Sequence, residues 1–594
     1  MKKQIRHRIE QVRALLRQEG LDAYYYSGTD PHHSEYLCDH WQVRRFLTGF
    51  TGSSGEVVIT DKEAGLWTDS RYFIQAEIQL EGTGIQLFRL RVPGEVSVST
   101  WLCHSLPKGG RVGVDSGSLP YEVFRMMSEQ LEKNNISLIS SPSILPLVWK
   151  ERPALPRNPI FGLDSNVTGE TCRSKLRRIS EVVHGKGAGL TLITALDDLA
   201  WTFNLRGSDV PFNPVFMGYA VVGTGYSHLF LHDDMLPAIL KDQLQNEGVT
   251  VGSYSGFVSF ISEIRDQTIY LDPAGTPAEI YTLLSRQCRI VEGIAVASAL
   301  KAVKNETELY GFRKAMRSDG AAMVAFMAWL HENRNRKDWT EYTVKKKISE
   351  LRATRKHYMG DSFEPIVGYR DHGAIVHLTV DAQSANQLSD EGVLLIDSGG
   401  HYLHGTTDIT RTFALGRVTE QQKTDYTLVL KGLIALSSVA FPEGTRGIHL
   451  DIMARLPLWK NGLNYGHGTG HGVGHFLNVH EGPGSIRREW NSCVIAPGMI
   501  FTNEPGIYRE NEYGIRLENM MVCVEKQNTP FGKFFGFETL TLCPFDLSLI
   551  NPELLSPEET DWLNEYHGRV RKTLSPMVPS NHVQFLEELT REIT

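Results

Sequence analysis

Apolar residues recur at helical spacing at the start of the chain. Ile5, Ile9, Val12 and Leu16 fall on one helix face, and Gly20 follows as a stop signal. An extended stretch and a glycine-rich run come next, as expected for strands joined by turns. The segment therefore predicts an amphipathic helix followed by strands.

The same order of elements returns in the next part of the chain. A helical stripe of Leu176, Ile179 and Val183 is followed by a strand-like run, an Asp-rich turn and another strand. This similarity of pattern predicts a divergent duplication. We expect two related α/β domains, at 1–155 and 156–303, joined by a proline-bearing segment.

From residue 304 the pattern changes to long helices followed by strands. Asn305 and Glu308 suit a capping pair for a long helix, and a second helix is expected to start near Thr340. The strand-like segments are GAIVHLTV (373–380), GVLLIDSG (392–399), TDITRTFAL (407–415), MIFTNEPGIY (499–508) and GIRLENMMVCVE (514–525). We expect helices around a curved antiparallel sheet at 304–530 and a helical C-terminal extension at 531–594.

Composition excludes several classes of protein. The 594 residues are 41% hydrophobic and 22% charged, which is ordinary for a globular protein, and the net charge of −8 offers no reason to expect nucleic acid. No apolar run reaches the roughly 18 residues of a membrane span, and the basic N-terminus lacks the apolar core of a signal peptide. Seven cysteines without a CxxC motif argue against a disulfide framework. A cytoplasmic enzyme or scaffold is the expectation.

Two pairs of carboxylates occur at the ends of apolar strands. Asp397 ends one strand and Asp408 begins the next, so a turn centred on 402–403 would place them opposite each other. Glu504 and Glu518 are symmetric about a second predicted turn. Opposed residues have Cβ atoms about 5 Å apart, where like charges repel. Any one acid would more simply face water or an arginine, but two such pairs beside a histidine-rich segment predict bound divalent metal.

The segment HGTGHGVGHFLNVHEGP (467–483) contains four histidines, His467, His471, His475 and His480. Its glycines disfavour a zinc-binding helix, at roughly 1 kcal/mol each relative to alanine. In an extended chain His467 and His471 are about 13 Å apart, so only one ligand is expected from this segment. Four carboxylates and one imidazole suit two Mn²⁺ or Co²⁺ ions better than a thiolate-type zinc site.

These motifs resemble the "pita-bread" metallopeptidases, which include methionine aminopeptidase, prolidase, creatinase and aminopeptidase P. The similarity lies in DSGGHYLHGTTDITRTF, HGTGHGVG, TNEPGIY and GIRLENM. It implies five metal ligands: Asp397, Asp408, His471, Glu504 and Glu518. The motifs RRFLTGFTGSSGEVVIT, LWTDSRYFIQAE and AWTFNLRGSDVPFNP resemble the long, three-domain branch, aminopeptidase P or Xaa-Pro aminopeptidase, and the resemblance covers essentially the whole chain.

That branch implies a cytoplasmic, usually dimeric enzyme that removes the first residue from peptides with proline in the second position. It implies two metal ions, most often Mn²⁺, with Co²⁺ or Zn²⁺ as possibilities, and a hydroxide between them as nucleophile. His377 and His480 match substrate-binding histidines that stabilise the tetrahedral intermediate, and His467 matches a histidine near the cleft. Arg516 matches an arginine beside the ligands and the substrate. Glu504 is the candidate to relay the proton of the nucleophile.

Three alternatives remain open. A prolidase acting on Xaa-Pro dipeptides is disfavoured by the duplicated N-terminal half, and a creatinase-type hydrolase lacks the complete ligand set found here. A catalytically silent peptide-binding homologue predicts lost ligands, and none is lost. A zincin protease is excluded because HExxH does not occur. His475 has no assigned role, and Leu378 stands where the family often has tyrosine.

Overall fold

The chain forms two compact units. The computed structural model describes residues 1–141, 144–333 and 338–594. The N-terminal unit comprises Met1–Asp164 and Glu170–Leu300. The C-terminal unit comprises Ser165–Gly169 and Lys301–Thr594. Across the described residues, none of the helices is long and apolar enough to cross a bilayer.

The first helix confirms the prediction from periodicity. It buries the four predicted apolar residues, and Gly20 ends it in a left-handed conformation with φ 64°. The elements of this part of the chain are α1 (Lys2–Glu19), β1 (Ala23–Tyr26), α2 (Val43–Thr48), β2 (Glu56–Thr60), β3 (Ala64–Thr68), α3 (Phe73–Leu80), β4 (Gln86–Arg89), α4 (Val98–Ser105), β5 (Arg111–Val114), α5 (Tyr121–Glu132), β6 (Ser137–Ser140) and α6 (Ile144–Val148).

The next part of the chain repeats this architecture. Its elements are β7 (Phe161–Gly162), α7 (Ser165–Thr168), α8 (Cys172–Gly185), β8 (Leu190–Ile193), α9 (Leu196–Thr202), β9 (Leu205–Arg206), β10 (Tyr219–Gly223), β11 (Tyr226–Leu231), α10 (Ala238–Asn246), β12 (Val249–Ser253), α11 (Gly256–Ser262), β13 (Thr268–Leu271), α12 (Ala278–Ser285), β14 (Arg289–Glu292) and α13 (Val296–Ala302). The two six-stranded sheets run β4-β3-β2-β1-β5-β6 and β12-β11-β10-β8-β13-β14. In the first sheet β1 pairs antiparallel with β2 and parallel with β5. In the second sheet β8 likewise pairs antiparallel with β10 and parallel with β13. The predicted pair of related α/β domains is thereby confirmed.

The C-terminal unit contains long helices and an antiparallel sheet. Its further elements are α14 (Glu306–Glu332), α15 (Glu341–Ala353), β15 (Tyr358–Asp361), β16 (Ile366–Tyr369), β17 (Val393–Ser398), β18 (Gly400–Tyr402), β19 (Gly405–Thr406), β20 (Ile409–Ala414), α16 (Glu420–Ser438), β21 (Phe441–Pro442), α17 (Gly447–Trp459), β22 (Gly470–Gly472), β23 (Glu481–Ile486), β24 (Ile500–Asn503), β25 (Gly506–Arg509), β26 (Tyr513–Arg516), β27 (Asn519–Thr529), β28 (Gly532–Thr539), α18 (Pro557–Leu574) and α19 (Ser580–Leu589). The main sheet runs β21-β28-β27-β24-β22-β23, with antiparallel neighbours throughout.

Helix starts in this unit follow the predicted capping. Asn305 accepts a hydrogen bond from the Glu308 amide, and the Glu308 side chain accepts one from the Asn305 amide, which completes a capping box for α14. Thr340 caps α15, and Val344 and Ile348 are buried on its inner face. The histidine-rich segment is not helical, as its glycines predicted.

Two predictions of secondary structure are wrong. Segment 373–380 is not a strand: a short 3₁₀ turn, Arg370–Ala374, leads into irregular chain that carries His377. The apolar alternation arises because Leu378 and Val380 are buried in a small cluster without strand pairing. The C-terminal extension is not purely helical either, since it begins with β28, which pairs with β27 before the helices start.

Candidate metal centre

Five strand ends in the C-terminal unit carry the predicted ligands. Asp397 lies in β17, Asp408 directly precedes β20, His471 lies in β22, Glu504 directly follows β24 and Glu518 directly precedes β27. The ligand atoms of Asp408, His471 and Glu518 lie within 4.8 Å of one another. His471 Nε2 is 3.4 Å from Asp408 Oδ2 and 3.6 Å from Glu504 Oε1. These four side chains therefore form one cluster.

The first carboxylate pair is not directly opposed, and that prediction is wrong. In the pairing of β17 with β20, Asp397 lies opposite Thr410 rather than Asp408. The connecting turn centres on 403–404, one residue later than predicted, which moves the partner by two residues. Thr410 takes the opposed position, and its hydroxyl donates a 2.8 Å hydrogen bond to Glu518 Oε2.

The second carboxylate pair has the predicted register. β25 and β26 pair about a turn at Asn511, and β24 and β27 continue with the same register. Glu504 and Glu518 occupy the matching positions between these two ladders. Two glutamates are thus held opposite each other by backbone pairing on both sides, independently of any bound ion.

Burial sets the electrostatics of the cluster. It raises the pKa of Asp397, Glu504 and Glu518, and neighbouring carboxylates add to the shift of Glu518. Burial alone would lower the pKa of His471, but its hydrogen bond to Asp408 and the charge of Glu504 outweigh burial and raise that pKa to about 9. Four carboxyl groups share this cluster with two basic groups, His471 and Arg516, so acidic groups outnumber basic ones.

Two carboxylate oxygens provide the test of whether metal fits. Asp397 Oδ1 and Glu518 Oε1 are buried, and neither accepts a hydrogen bond from any residue within the described parts of the chain. A buried acceptor left unsatisfied costs about 1–3 kcal/mol, and more when it is charged. Divalent cations would satisfy both oxygens and neutralise the cluster, and the carboxylate and imidazole donors are ligands that Mn²⁺, Co²⁺ and Zn²⁺ accept. The residues present fit a metal centre.

Arg516 connects this cluster to a histidine at its edge. Its Nη2 donates to Asp397 Oδ2 at 2.6 Å, and its Nη1 donates to Tyr508 Oη at 2.7 Å. The same Tyr508 oxygen lies 2.7 Å from His467 Nε2. Asp397, Arg516, Tyr508 and His467 therefore form one continuous hydrogen-bonded chain. Sequence reasoning missed Tyr508, although it ends the quoted TNEPGIY motif.

The remaining histidines of the predicted site are His480, His377 and His475. The His480 ring lies edge-on to His471, with centroids 4.3 Å apart, so His480 borders the cluster. His377 follows Val376, whose carbonyl accepts a 3.4 Å hydrogen bond from Arg516 Nη2. His475, which had no assigned role, is buried with its ring against Phe312 of α14, with centroids 5.6 Å apart.

A buried ion pair holds the loop that carries His467. Arg455 of α17 donates through Nε to Asp451 at 2.6 Å and through Nη2 to the His467 carbonyl at 2.7 Å. Asp451 also accepts a 2.6 Å hydrogen bond from the Thr469 hydroxyl, and the Thr469 carbonyl accepts one from the Glu504 amide. Sequence reasoning missed this support because both residues lie on a preceding helix with no motif of their own.

Known families match the chain in four successive stretches. The matches are the creatinase/prolidase N-terminal domain at 8–146 and again at 151–308, metallopeptidase family M24 at 311–525, and the C-terminal region of peptidase M24 at 533–593.

Full-length relatives agree with these matches. Xaa-Pro aminopeptidase 1 of Dictyostelium discoideum is 37% identical over 98% of this chain and 95% of its own, and Xaa-Pro aminopeptidase ApepP of Drosophila melanogaster is 37% identical over 97% and 95%. The crystal structure of X-prolyl aminopeptidase from Caenorhabditis elegans, described as a cytosolic enzyme with a di-nuclear active site, superposes with a TM-score of 0.95 at 33% identity over 99% of both chains. The resemblance predicted from the motifs is confirmed. The chain belongs to metallopeptidase family M24, as a member with two creatinase/prolidase N-terminal domains ahead of the peptidase domain.

Proposed function

We propose that this metallopeptidase is an Xaa-Pro aminopeptidase, which releases the first residue of peptides with proline in the second position. The observation that carries the proposal is the convergence of Asp408, His471 and Glu518, together with two buried carboxylate oxygens, of Asp397 and Glu518, that accept no hydrogen bond from the described residues. The names of the full-length relatives and the di-nuclear site of the C. elegans enzyme support it.

The proposed ligand set holds two divalent ions. Asp408 and Glu518 would be shared between the ions, Asp397 would complete the ligands of one, and His471 with Glu504 those of the other. Mn²⁺ suits this oxygen-rich set, with Co²⁺ or Zn²⁺ as substitutes. When bound, the ions would supply a hydroxide nucleophile between them at neutral pH and polarise the scissile carbonyl.

The protein's own residues position the substrate and move protons. His377 and His480 donate hydrogen bonds to the oxygen of the scissile carbonyl as it gains negative charge. Glu504, with its pKa raised by burial, accepts and returns a proton. Arg516 fixes Asp397, and His467 binds substrate at the edge of the cluster. A proline in the second position offers no N–H, so the pocket selects it by shape and not by that donor.

The proposal is tested by Asp408→Ala. The variant should lose metal from both positions and lose hydrolysis of an Xaa-Pro-Xaa tripeptide, because Asp408 would contact both ions. Metal content by plasma mass spectrometry and peptide release by chromatography measure the two effects. Asp561→Ala, at an exposed position of α18, is the matched control and should resemble the unsubstituted protein. Full activity in Asp408→Ala would refute the assignment.

We also propose that the enzyme is a cytoplasmic homodimer. Helix α17 exposes Ile452, Leu456 and Trp459 to 44%, 41% and 43%, and their spacing places them along one face. An exposed apolar stripe of this kind is typical of a protein interface. Leu456→Lys should convert the dimer to monomer in sedimentation velocity, and a monomeric parent protein would contradict the proposal. The cytosolic description of the C. elegans enzyme supports the location.

We further propose that the chain is divided into four domains, at 1–155, 156–303, 304–530 and 531–594. The four family matches support boundaries close to these positions.

A further inference from the structure

We propose that the C-terminal segment, residues 541–574, is part of the metal centre, because it fixes Arg411, which in turn positions the ligand Glu518. The inference rests on the proposed metal site. It assigns a positioning role to Arg411 and to Tyr566 of α18.

Arg411 is completely buried and lies on β20 between two threonines. Its Nη1 donates a 2.6 Å hydrogen bond to the backbone carbonyl of Glu518 and a 2.9 Å bond to that of Thr410. Thr410 in turn donates its hydroxyl to Glu518 Oε2 at 2.8 Å, and its carbonyl accepts the Glu518 amide. Adjacent residues of one strand therefore hold both the backbone and the carboxylate of this ligand.

The opposite edge of the Arg411 guanidinium faces the C-terminal segment. Nη2 donates to the Cys543 carbonyl at 2.9 Å and to Tyr566 Oη at 3.1 Å, and Nε donates to the Pro544 carbonyl at 3.1 Å. Nη2 also donates to Asn519 Oδ1 of β27 at 2.8 Å, next to Glu518. The guanidinium carbon also lies 4.1 Å from the centre of the Phe545 ring. A wholly buried guanidinium requires such acceptors, because leaving its N–H groups unpaired away from water is costly. The segment thus supplies much of what keeps Arg411 in place.

Tyr566 organises the irregular backbone that carries these acceptors. Residues 540–546 lie outside any helix or strand, so their buried polar groups need partners other than a strand ladder. The Tyr566 oxygen lies 2.9 Å from the Cys543 carbonyl and 3.1 Å from that of Thr541, and it accepts the Cys543 amide at 3.3 Å. The ring stacks on Trp562, with centroids 5.3 Å apart. Helix α18 therefore fixes the carbonyl that Arg411 binds.

Because the guanidinium is a rigid planar fork, displacement of one edge displaces the other. Loss of the Tyr566 hydroxyl would loosen the Cys543 carbonyl, then Arg411, and then the backbone of Glu518. Partners that orient metal ligands typically contribute about 10–100-fold to metal affinity. We expect Tyr566→Phe, one contact further out, to weaken Mn²⁺ binding about 3–10-fold, and Arg411→Lys to weaken it about 10–100-fold.

The experiment is calorimetric titration of Mn²⁺ into the metal-stripped full-length protein, together with the unfolding temperature of each metal-free variant. Tyr369→Phe is the matched control: it removes another buried hydroxyl of the C-terminal unit, one bonded to Ser389 Oγ at 2.7 Å and the Glu391 carbonyl at 2.8 Å, outside the segment that holds Arg411. A merely structural role for Tyr566 would lower the unfolding temperature in both tyrosine variants and leave Mn²⁺ affinity unchanged in both.

Weaker Mn²⁺ binding in Tyr566→Phe but not in Tyr369→Phe supports the inference. Equal Mn²⁺ affinity in Tyr566→Phe and the parent protein overturns the inference. This result decides the question even if Arg411→Lys does not fold. A parent protein that binds no Mn²⁺, Co²⁺ or Zn²⁺ would instead overturn the proposed function on which the inference rests.

Discussion

At the scale of single residues, Glu518 shows the conflict that metal would resolve. It is 1% exposed, one of its oxygens accepts the Thr410 hydroxyl, and the other has no donor among the described residues. The residue types of the proposed ligands were predictable, because carboxylates at apolar strand ends are costly unless paired with a cation. Tyr508 and Arg411 were not predictable, because their roles depend on partners far away in the sequence, such as Tyr566.

Mn²⁺ should stabilise this protein more at pH 8 than at pH 6. The folded-state pKa values of Asp397, Glu504 and Glu518 are raised, so the stability these groups contribute to the metal-free protein is present at low pH and lost as pH rises through those values. Protons also compete with metal at His471 below its pKa of about 9. Both effects increase the metal-dependent gain in unfolding temperature with pH.

Differential scanning fluorimetry with and without Mn²⁺ at the two pH values measures this gain. Asp408→Ala serves as the control and should show no gain at either pH. An equal or larger gain at pH 6 would contradict the account of the ligand charges.

At the scale of elements, register decided which sequence predictions succeeded. The Glu504–Glu518 hairpin was predicted correctly because its turn is centred on Asn511, which adopts φ 61°, a conformation that asparagine tolerates. The Asp397–Asp408 hairpin was misplaced because 403–404 carries no comparable turn signal. Segment 373–380 failed for a related reason, since apolar alternation reports burial and not strand pairing.

Lys304 should be an important link between the start of α14 and β23. Lys301 and Lys304 both bind Glu481, the first residue of β23, and all three side chains are at most 2% exposed. Removing one partner from a buried ion cluster typically costs about 3–5 kcal/mol. Because Lys301 remains 3.5 Å from Glu481, we expect Lys304→Met to cost about 3 kcal/mol, at the low end of that range.

Lys533→Met is the comparison for that variant. Lys533 pairs with Glu525 at 3.5 Å, but these side chains are 51% and 63% exposed, so little change is expected. Urea unfolding followed by tryptophan fluorescence compares the two variants. Similar midpoints for Lys304→Met and Lys533→Met would show that the buried cluster contributes no more than a surface pair.

At the scale of the whole molecule, the duplication in the N-terminal half was predictable from the sequence, but the extent of the two compact units was not. The duplication was predictable because helix and strand periodicities repeat in order, and the two sheets prove to have the same strand order. The assignment of residues to compact units was not predictable, because it depends on contacts: residues 165–169 belong with the C-terminal unit although the chain around them does not.

Mn²⁺ should raise the unfolding temperature of the C-terminal unit alone. A ligand stabilises only the folded state that binds it, by about 4 kcal/mol at 1,000 times its dissociation constant. All five proposed ligands lie in the C-terminal unit. Scanning calorimetry of the full-length protein should therefore show one transition that moves with Mn²⁺ and one that does not. Movement of every transition together would contradict independent responses of the units.

The central claim is that bound metal makes this protein an aminopeptidase selective for proline in the second position. The most direct measurement is release of the first residue from X-Pro-Y, X-Ala-Y and X-Pro peptides by metal-stripped protein, before and after Mn²⁺ is restored. We expect rapid hydrolysis of X-Pro-Y only after Mn²⁺ addition, with X-Ala-Y and the X-Pro dipeptide cleaved far more slowly. Preference for the dipeptide would indicate a prolidase, and metal binding without hydrolysis of any of the three would indicate a silent homologue. Either result would contradict the claim.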